Sequence, residues 1–516
     1  MKRWMLCVSC VLCVLVGNPG SAGARTSSGT RSEALASERL VADYDGELRR
    51  SDGRLDIPLM IQQLKGLKVN VYFYLVWHRD TDWEDLKLFL PEARAAGIEV
   101  WVYLVPPSES PPHTALYSEP FRLDYLRWGE EIGRLSAQHP NLTAFVIDDF
   151  WANGTFFTPD TVGRMRAAGR QHNPGLLFLP LMYYPEMSRR FVADYRPVMD
   201  GAVVAYPADA TRSGNRSAVE DIRAARDLLN DRDESPARWV FSYPYQTRSN
   251  IGDVAEARRT FTVTPADRYA LRMTGGDDYL GPTAGYHIKQ VLVDDEAVWQ
   301  EDVAGGKQGM QAIQVDVTGQ VRGKSSVTVT MRVIDLKAVS NFGVEVTWSE
   351  PETDGLKPAD GSAWGIQTRG RWQAVFETAH HGERAFDVPF VIMVAASREA
   401  FPRRVGLAAT PENIRDHVEM AFTEMRRGNA DGVVTYVLDK RAGNPDYAAV
   451  QPVFLRANQP APSPDFDGDG TVGFDDFFMF AASFGSKEAR FDLDGDGTVG
   501  FDDFFVFAAS FGKKKN

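Results

Sequence analysis

At 516 residues the chain is too long for one ordinary hydrophobic core, which predicts two to four domains. Its formal net charge of −13 disfavours nucleic acid and anionic membranes as partners, because both favour a basic surface. With 44% hydrophobic and 25% charged residues the composition is that of a globular protein, and a neutral ligand or a metal cation suits its charge better.

The N-terminus has the pattern of a signal peptide over residues 1–24. Lys2 and Arg3 precede an apolar run at 4–16, and small residues follow it. The run is shorter than the roughly 20 residues of a membrane-spanning helix, so we expect a secreted chain without a membrane span. All three cysteines lie in this segment, which predicts a mature protein without disulfides or thiolate metal sites. Residues 25–37 are rich in Ser, Thr, Gly and Arg and are expected to form a flexible leader.

Short apolar runs alternate with amphipathic helical patterns between residues 55 and 230. The predicted strands are 69–77, 98–105, 142–147, 176–183 and 202–206. The predicted helices are 82–96, 120–138, 159–171 and 218–230. Strands that are buried on both faces and alternate with helices indicate parallel β–α units.

The pattern then changes to closely spaced strands and turns, which predicts an inserted antiparallel β-sandwich over 251–360. The β–α pattern returns with apolar runs at 390–396 and 432–438 and a helix at 411–427. Eight strands in total predict an α/β fold, a (β/α)8 TIM-type barrel built from 38–250 and 361–458. The eighth strand is either 239–243 or 41–44, and the sequence leaves that choice open.

Functional groups in such a barrel follow the carboxyl ends of the strands. The strand at 142–147 is followed by Asp148 and Asp149, which in extended backbone would point to opposite sides. Different surroundings would then keep one carboxyl protonated and the other ionised, as acid and base catalysis requires. Glu109 also follows a strand. Aromatic rings beside polar groups suit a sugar, and we predict substrate contacts from Trp77, His78, Trp151, Asn153, Tyr183, Tyr184, Tyr206 and Asp439.

The run at 67–74 and the Asp148–Asp149 pair resemble the layout of the O-GlcNAcase-type hexosaminidases over roughly residues 56–155. The resemblance implies substrate-assisted hydrolysis, with Asp148 orienting an N-acetyl group and Asp149 as general acid. The usual lysine of that family after the first strand is absent where Trp77 and His78 stand. A conventional pair is the competing mechanism, with Asp149 as acid and Glu399 as nucleophile or base. A helix cap or another structural role is the remaining alternative for the Asp pair.

Near the C-terminus the same twelve-residue pattern occurs at 465–476 and again 27 residues later at 492–503. A calcium loop needs oxygen ligands at positions 1, 3, 5, 7 and 12 and a glycine at position 6, and both copies comply. We expect two calcium ions. The first is held by Asp465, Asp467, Asp469, Asp476 and the Thr471 carbonyl, and the second by Asp492, Asp494, Asp496, Asp503 and the Thr498 carbonyl.

These paired loop–helix repeats resemble a type I dockerin over roughly 464–512, preceded by a linker at 459–464. The resemblance implies that 465–516 folds around calcium as a small α-helical domain and docks onto a cohesin-like module. Dockerins usually carry small polar residues late in the loop, whereas Phe474 and Phe501 stand there in this chain. The many phenylalanines of the repeats exceed what so small a core can hide, so some are expected to face a partner.

Together these features predict a secreted bacterial glycoside hydrolase that acts on a polysaccharide or glycoconjugate and carries a dockerin-like anchor. The alternative is a non-catalytic carbohydrate-binding or extracellular attachment protein. The chitinase pattern Asp-x-x-Asp-x-Asp-x-Glu is absent. The histidines lack the sequence spacing of a zinc site, so a metal catalyst is not predicted.

Overall fold

The computed structural model describes residues 39–210, 217–231, 234–277, 284–303, 310–381, 388–458, 462–495 and 497–513. The predicted signal peptide and leader lie outside these ranges, as do Asp496 and the first residues of the predicted linker. None of the helices in the described ranges is both long enough and apolar enough to cross a membrane.

Eight parallel strands close into a barrel, as predicted. In chain order they are β1 Leu40–Tyr44, β2 Val71–Leu75, β3 Glu99–Leu104, β4 Leu142–Ile147, β5 Leu177–Tyr183, β6 Ala202–Ala205, β7 Phe390–Ala395 and β8 Gly432–Tyr436. Pairing of β1 with β8 closes the ring. The strands are buried on both faces, which explains their nearly continuous apolar sequences.

Of the two stretches that the sequence allows as the eighth barrel strand, the structure uses the one at 41–44. The stretch at 41–44 lies in β1, and 239–243 lies in a sandwich strand, Arg238–Arg248. Trp239, Phe241 and Tyr243 alternate into the sandwich core, as expected for a strand of an antiparallel sheet with one buried face.

Helices surround the barrel and connect its strands. They are α1 Ile57–Leu67, α2 Asp82–Ala95, α3 Tyr125–Gln138, α4 Pro159–Arg170, α5 Arg189–Tyr195, α6 Ala218–Leu229, α7 Ala400–Val405, α8 Pro411–Arg426 and α9 Pro445–Ala457. Short 3-10 turns follow β3, β4 and β5 at Pro107–Glu109, Trp151–Asn153 and Tyr184–Glu186. Helix α3 begins later than predicted because the Asp124 side chain caps it, accepting the N–H of Arg127.

The inserted sandwich has two antiparallel sheets and extends beyond the predicted range 251–360 on both sides. The first sheet contains Gln311–Asp316, Ala270–Asp277, Ser340–Ser349, Arg238–Arg248 and Gln373–Glu377, with Glu352–Asp354 beside Ala270–Asp277. The second contains Glu296–Asp302, His287–Val293, Ser326–Asp335, Val254–Val263 and Leu356–Pro358, with Gly365–Arg369 beside Val254–Val263. A short helix, Thr318–Val321, and a two-stranded pair, Glu234–Ser235 with His380–His381, complete the insertion.

Two loop–helix repeats follow the barrel, with helices α10 Phe474–Ser483 and α11 Phe501–Ser510. They share a small core of their own, formed by Phe466, Val472, Phe480, Phe491, Leu493, Val499, Phe504 and Phe507. Other phenylalanines are exposed at equivalent places in both repeats, namely Phe474, Phe478, Phe501 and Phe505. The small core therefore does leave aromatic surface uncovered, as the sequence predicts.

Candidate active site

The turn after β4 carries the predicted Asp pair. The Asp148 N–H still donates to the Leu104 carbonyl of β3 (3.0 Å), but Asp149 has a φ of +38° and ends the extended stretch. The Asp149 N–H then donates to the Asp148 carboxylate (2.8 Å). The prediction of two residues in extended backbone is therefore wrong. A turn, which Asp tolerates better than most residues, sets the direction of the second carboxyl.

Asn153 fastens this turn to the segment after β3. Its Nδ2 donates to the Asp149 carbonyl and to the Ser108 Oγ (both 2.9 Å), and its Oδ1 accepts the Ser108 N–H (3.1 Å). At 2% exposure it contacts protein and presents little surface to a substrate, so its predicted binding role becomes a positioning one. The result is that Glu109, next to Ser108, comes close to the Asp pair.

Glu109, Asp148 and Asp149 form what we call the carboxyl cluster. Burial raises the pKa of Asp148 well above its ordinary value, and the charges of Glu109 and Asp149 raise it further. Burial and the charge of Asp149 raise the pKa of Glu109 to about 7, while Arg404 acts in the opposite direction. Neighbouring carboxyls in a desolvated site resist ionising together, so the cluster holds a proton to a higher pH than a separate carboxyl would.

Five tyrosines surround this cluster at the end of the barrel where the carboxyl ends of the strands lie, which we call the mouth. The ring centres of Tyr44 and Tyr103 are 4.3 Å apart, and those of Tyr44 and Tyr436 are 5.3 Å apart. The series continues from Tyr436 to Tyr206 (5.5 Å) and from Tyr206 to Tyr183 (5.8 Å). The rings therefore form a continuous aromatic wall at the carboxyl ends of β1, β3, β5, β6 and β8.

The wall faces Asp148. Burial raises the pKa of Tyr44, Tyr103, Tyr206 and Tyr436, and the charge of Asp148 adds to the shift of each. The Tyr103 hydroxyl lies close enough to Asp148 to oppose the rise in the pKa of that carboxyl. The hydroxyl nevertheless makes no hydrogen bond of ordinary geometry within the described residues. Few donors therefore compensate a charge on Asp148, which favours its neutral form.

Arg404 closes one side of the mouth. Its guanidinium lies 4.9 Å and 4.7 Å from the ring centres of Tyr183 and Tyr206, and it donates to the Tyr183 hydroxyl (3.2 Å). A buried carboxylate, Asp209, holds it at 3.0 Å. Tyr183 and Tyr206 thus stand in the mouth, as the sequence predicts.

Glu399 and Tyr184 lie outside this arrangement. The Glu399 carboxyl is 91% exposed and 3.8 Å from Arg403, so Glu109 is the glutamate whose charge acts on the Asp pair. Tyr184 is buried against Phe390, and the charges that act on its hydroxyl come from residues of the outer helices α6 and α8. Both predictions followed from position after a strand, which does not determine where a side chain points.

The other predicted residues lie at the rim. Asp439 accepts hydrogen bonds from Arg441 and Asn444, which hold its pKa below the ordinary value. Trp77 and Trp151 are only partly buried, which leaves part of each indole exposed at the rim.

His78 is paired with Asp45 at the end of β1. Its Nε2 lies 3.1 Å from the carboxylate of Asp45. Burial works against a charge on the imidazole, but the hydrogen bond and the charge of Asp45 raise the pKa of His78 to about 9. Neither Asp45 nor this pair is evident from the sequence, because 33 residues separate the partners.

Each C-terminal loop brings three of its predicted carboxylate ligands together, whereas Asp469 lies outside the first group and accepts the Thr471 N–H (2.7 Å). One oxygen each of Asp465, Asp467 and Asp476 lie within 4.8 Å of one another, and the same holds for Asp492, Asp494 and Asp503. Gly470 and Gly497 have φ values of +87° and +91°, the left-handed region that favours glycine, as expected for position 6 of a calcium loop. An all-oxygen donor set of this kind fits calcium.

The second loop is also held by the end of α8. Arg426 donates to the carbonyls of Asp494 (2.6 Å) and Gly495 (2.9 Å). Arg427 forms ion pairs with Asp494 (2.7 Å) and Asp502 (2.9 Å). These contacts attach the C-terminal repeats to the barrel through one of the two loops.

No protein-family model matches the chain, and no curated protein matches it. Among solved structures, tryptophan synthase from M. tuberculosis matches with a TM-score of 0.27 at 14% identity, covering 40% of this chain and 79% of that one. A beta-galactosidase from the psychrophilic Marinomonas ef1 gives 0.26 at 9% identity, with 38% and 47% covered. An endoglucanase from Pseudomonas stutzeri gives 0.21 at 10% identity, with 33% and 72% covered.

Likenesses this weak carry no argument about activity. The fold and the mouth themselves define the class, a (β/α)8-barrel protein with an inserted β-sandwich and a carboxyl cluster enclosed by tyrosines.

Proposed function

We propose that the chain is a secreted glycoside hydrolase whose barrel cleaves a glycosidic bond of a polysaccharide or glycoconjugate at the carboxyl cluster. The observation that carries this proposal is a set of three neighbouring carboxyls, in which burial and the charges of the other acids raise the pKa values of Asp148 and Glu109. Strongly perturbed carboxyls at the carboxyl ends of barrel strands are the usual sign of acid–base chemistry.

Cleavage of a glycosidic bond needs a proton for the leaving oxygen and a second carboxyl group. Burial and the neighbouring acids raise the pKa of Asp148 and of Glu109, which favours a protonated carboxyl beside Asp149. The resemblance gives the acid step to Asp149, and one of its carboxyl oxygens, Oδ1, is buried without a hydrogen-bond partner in the described residues. Glu109 supplies the second carboxyl, the role predicted for Glu399.

The surroundings suit a sugar. The tyrosine wall and the partly exposed rings of Trp77 and Trp151 offer apolar faces on which a pyranose ring packs. Arg404 and the carboxyls supply hydrogen bonds for hydroxyl groups at the same mouth. Export of the chain is part of the proposal and rests on the sequence of residues 1–24.

The test is hydrolysis of a panel of aryl glycosides and polysaccharides, including N-acetylglucosaminides, by the full chain. Asp148→Asn, Asp149→Asn and Glu109→Gln are expected to lower turnover by about 10²–10⁴-fold. Asp160→Asn, on the outer helix α4 with a carboxyl 79% exposed, is the control and should keep full turnover. Unchanged turnover in Asp149→Asn would remove Asp149 from the mechanism. No hydrolysis with sugar binding retained would favour the non-catalytic alternative.

We also propose that the C-terminal repeats bind two calcium ions and dock onto a cohesin-like module. The ligand oxygens of both loops and their position-6 glycines support the ions. The exposed rings of Phe474, Phe478, Phe501 and Phe505 support a partner surface, because aromatic groups exposed at equivalent places in both repeats are costly to leave in water. Binding of a cohesin domain to the full chain should be lost in Phe478→Ser/Phe505→Ser. Unchanged binding would place the contact elsewhere.

A further inference from the structure

A second group of ligating side chains lies at the rim of the barrel. Asp45 follows β1 directly, Glu47 comes two residues later, and His78 follows β2. One carboxylate oxygen from each acid and one ring nitrogen of His78 all lie within 4.8 Å of one another. The His78 Nε2 is 3.1 Å from Asp45 Oδ2 and 4.0 Å from Glu47 Oε2.

Glu47 is the informative member of this group. Its side chain is 2% exposed, and its Oε2 accepts a hydrogen bond from Arg49 (2.8 Å). Its other oxygen, Oε1, is buried and has no hydrogen-bond partner in the described residues. A buried carboxylate oxygen is expected to have a donor or a cation beside it, because leaving it unpaired costs free energy.

The local charges point the same way. Two of the four rim acids are satisfied by cations and backbone donors: Asp82 by Arg49 (2.8 Å) and Asp85 by Arg54 (2.5 Å). The four carboxylates of Asp45, Glu47, Asp82 and Asp85 exceed the two guanidinium groups of Arg49 and Arg54 by two negative charges. A metal ion bound by His78 and Glu47 would displace the protons that these groups otherwise hold, so the excess of two would remain. A divalent cation would neutralise that excess.

The turn that presents the acids has little freedom. Gly46 has a φ of +60°, and a Cβ at this position would lie 2.6 Å from the Leu438 carbonyl and 2.8 Å from Lys440 Nζ. The backbone between Asp45 and Glu47 is therefore fixed against the end of β8, and both acids are held toward His78.

We propose that Asp45, Glu47 and His78 bind a divalent transition-metal ion, with zinc as the best fit. Ligand atoms around a tetrahedral zinc ion, each about 2.0–2.2 Å from the metal, are compatible with separations of 3–4 Å. One imidazole with two carboxylates suits zinc or manganese, whereas calcium takes oxygen ligands only. The His78 side chain is 37% exposed, so a metal ion could reach the three ligands from solvent on that side.

The test is metal binding to the full chain in calcium at a concentration that saturates the C-terminal loops. Calorimetry with Zn²⁺ and visible absorption with Co²⁺ should both report one site per chain. His78→Ala and Glu47→Gln should lose that site. His113→Ala, an exposed histidine after β3, is the matched control and should keep it.

No binding beyond calcium in the wild-type chain would overturn the proposal, as would an unchanged site in His78→Ala. His78→Ala decides the matter if Glu47→Gln does not fold, because the imidazole is partly exposed and its removal leaves no large cavity. The readout is binding rather than turnover, so the result does not depend on the proposed hydrolase.

Discussion

The barrel mouth and the C-terminal loops both contain groups of neighbouring carboxyls. The surroundings of Asp148 in the mouth and of Asp476 in the first loop shift the pKa of these carboxyls in opposite directions. In the mouth, burial and neighbouring acids raise the pKa of Asp148. In the first C-terminal loop burial also works against the charge of Asp476, but backbone N–H groups of Gly473, Asp467 and Phe466 donate to it and hold its pKa below the ordinary value. Backbone donors favour the charged form of Asp476, whereas stronger burial and neighbouring acids oppose the charged form of Asp148.

The difference matches two kinds of chemistry. A carboxyl that keeps its proton can give it to a leaving group, whereas one that keeps its charge can hold a cation. The second loop lies between these extremes. Burial and the charges of Asp494 and Asp492 raise the pKa of Asp503 to about 6, although the N–H groups of Asp494 and Gly500 oppose the rise.

Calcium removal should produce the largest effect and act on the loops alone. Free calcium at about 100 times the dissociation constant stabilises each loop by about 3 kcal/mol, or about 6 kcal/mol for both. Chelation should therefore lower the stability of 465–512 by that amount and leave the barrel unchanged, as measured by faster hydrogen exchange in the repeats alone. Repeats that are indifferent to a chelator would contradict the calcium assignment.

Lys440→Met should be the most damaging single change in the barrel. The fully buried Lys440 Nζ pairs with Asp43 of β1 (2.5 Å) and donates to the Asp45 carbonyl (2.7 Å), so it joins the loop after β8 to β1. Its loss leaves Asp43 buried without a cation and should cost about 3–5 kcal/mol in unfolding free energy. Lys87→Met, in an exposed pair with Glu84, is the control for chemical denaturation. Adding Asp43→Asn to Lys440→Met should restore part of the loss, and equal stability of both lysine variants would refute the explanation.

Arg427→Gln should affect the second C-terminal loop and leave the first loop unchanged. Its guanidinium is 18% exposed and pairs with Asp494 and Asp502, so its removal weakens the attachment of the second loop by about 1 kcal/mol. Hydrogen exchange should become about fivefold faster at 492–503 and stay unchanged at 465–476. Arg415→Gln, in an exposed pair on the same helix, should change neither. Equal acceleration in both loops would rule out a local attachment.

The pH dependence of the calcium-free loops should be the smallest effect. Asp503 binds protons more tightly in the folded chain than in the unfolded chain, so the stability of the second loop should fall as the pH rises from about 4 to about 6. Asp476 has a lowered pKa, so its contribution is present above about pH 4 and is lost below that. Hydrogen exchange of each loop between pH 4 and 7 measures both trends, and identical profiles would contradict them.

The fold was predictable because it depends on sequence-local patterns. Continuous apolar runs mark the barrel strands, and the strict spacing of oxygen ligands marks the loops. The predicted barrel segment 38–250 extends too far, because the strand Arg238–Arg248 starts with an apolar run that would suit the barrel as well as the sandwich. Its alternate burial becomes visible only once the sandwich core is assembled.

The site was predictable only in part, for a different reason. The Asp pair follows directly from its place after β4, but the nearness of Glu109 depends on the bonds between Asn153 and Ser108, which are 45 residues apart. The same limit applies to Asp45 and His78. Contacts between the ends of different strands depend on side-chain direction, which spacing along the chain does not encode.

The most direct test of the account is the titration of Asp148 itself. Carbon-13 NMR of the chain labelled at aspartate carboxyls, with the Asp148 signal assigned by its loss in Asp148→Asn, measures the pKa without any assumption about the substrate. A signal that stays in the protonated position well above pH 4 is the result that the enclosed carboxyl cluster predicts. Titration of Asp148 near pH 4, like an exposed aspartate, would contradict a proton-holding mouth and the acid–base chemistry proposed for it.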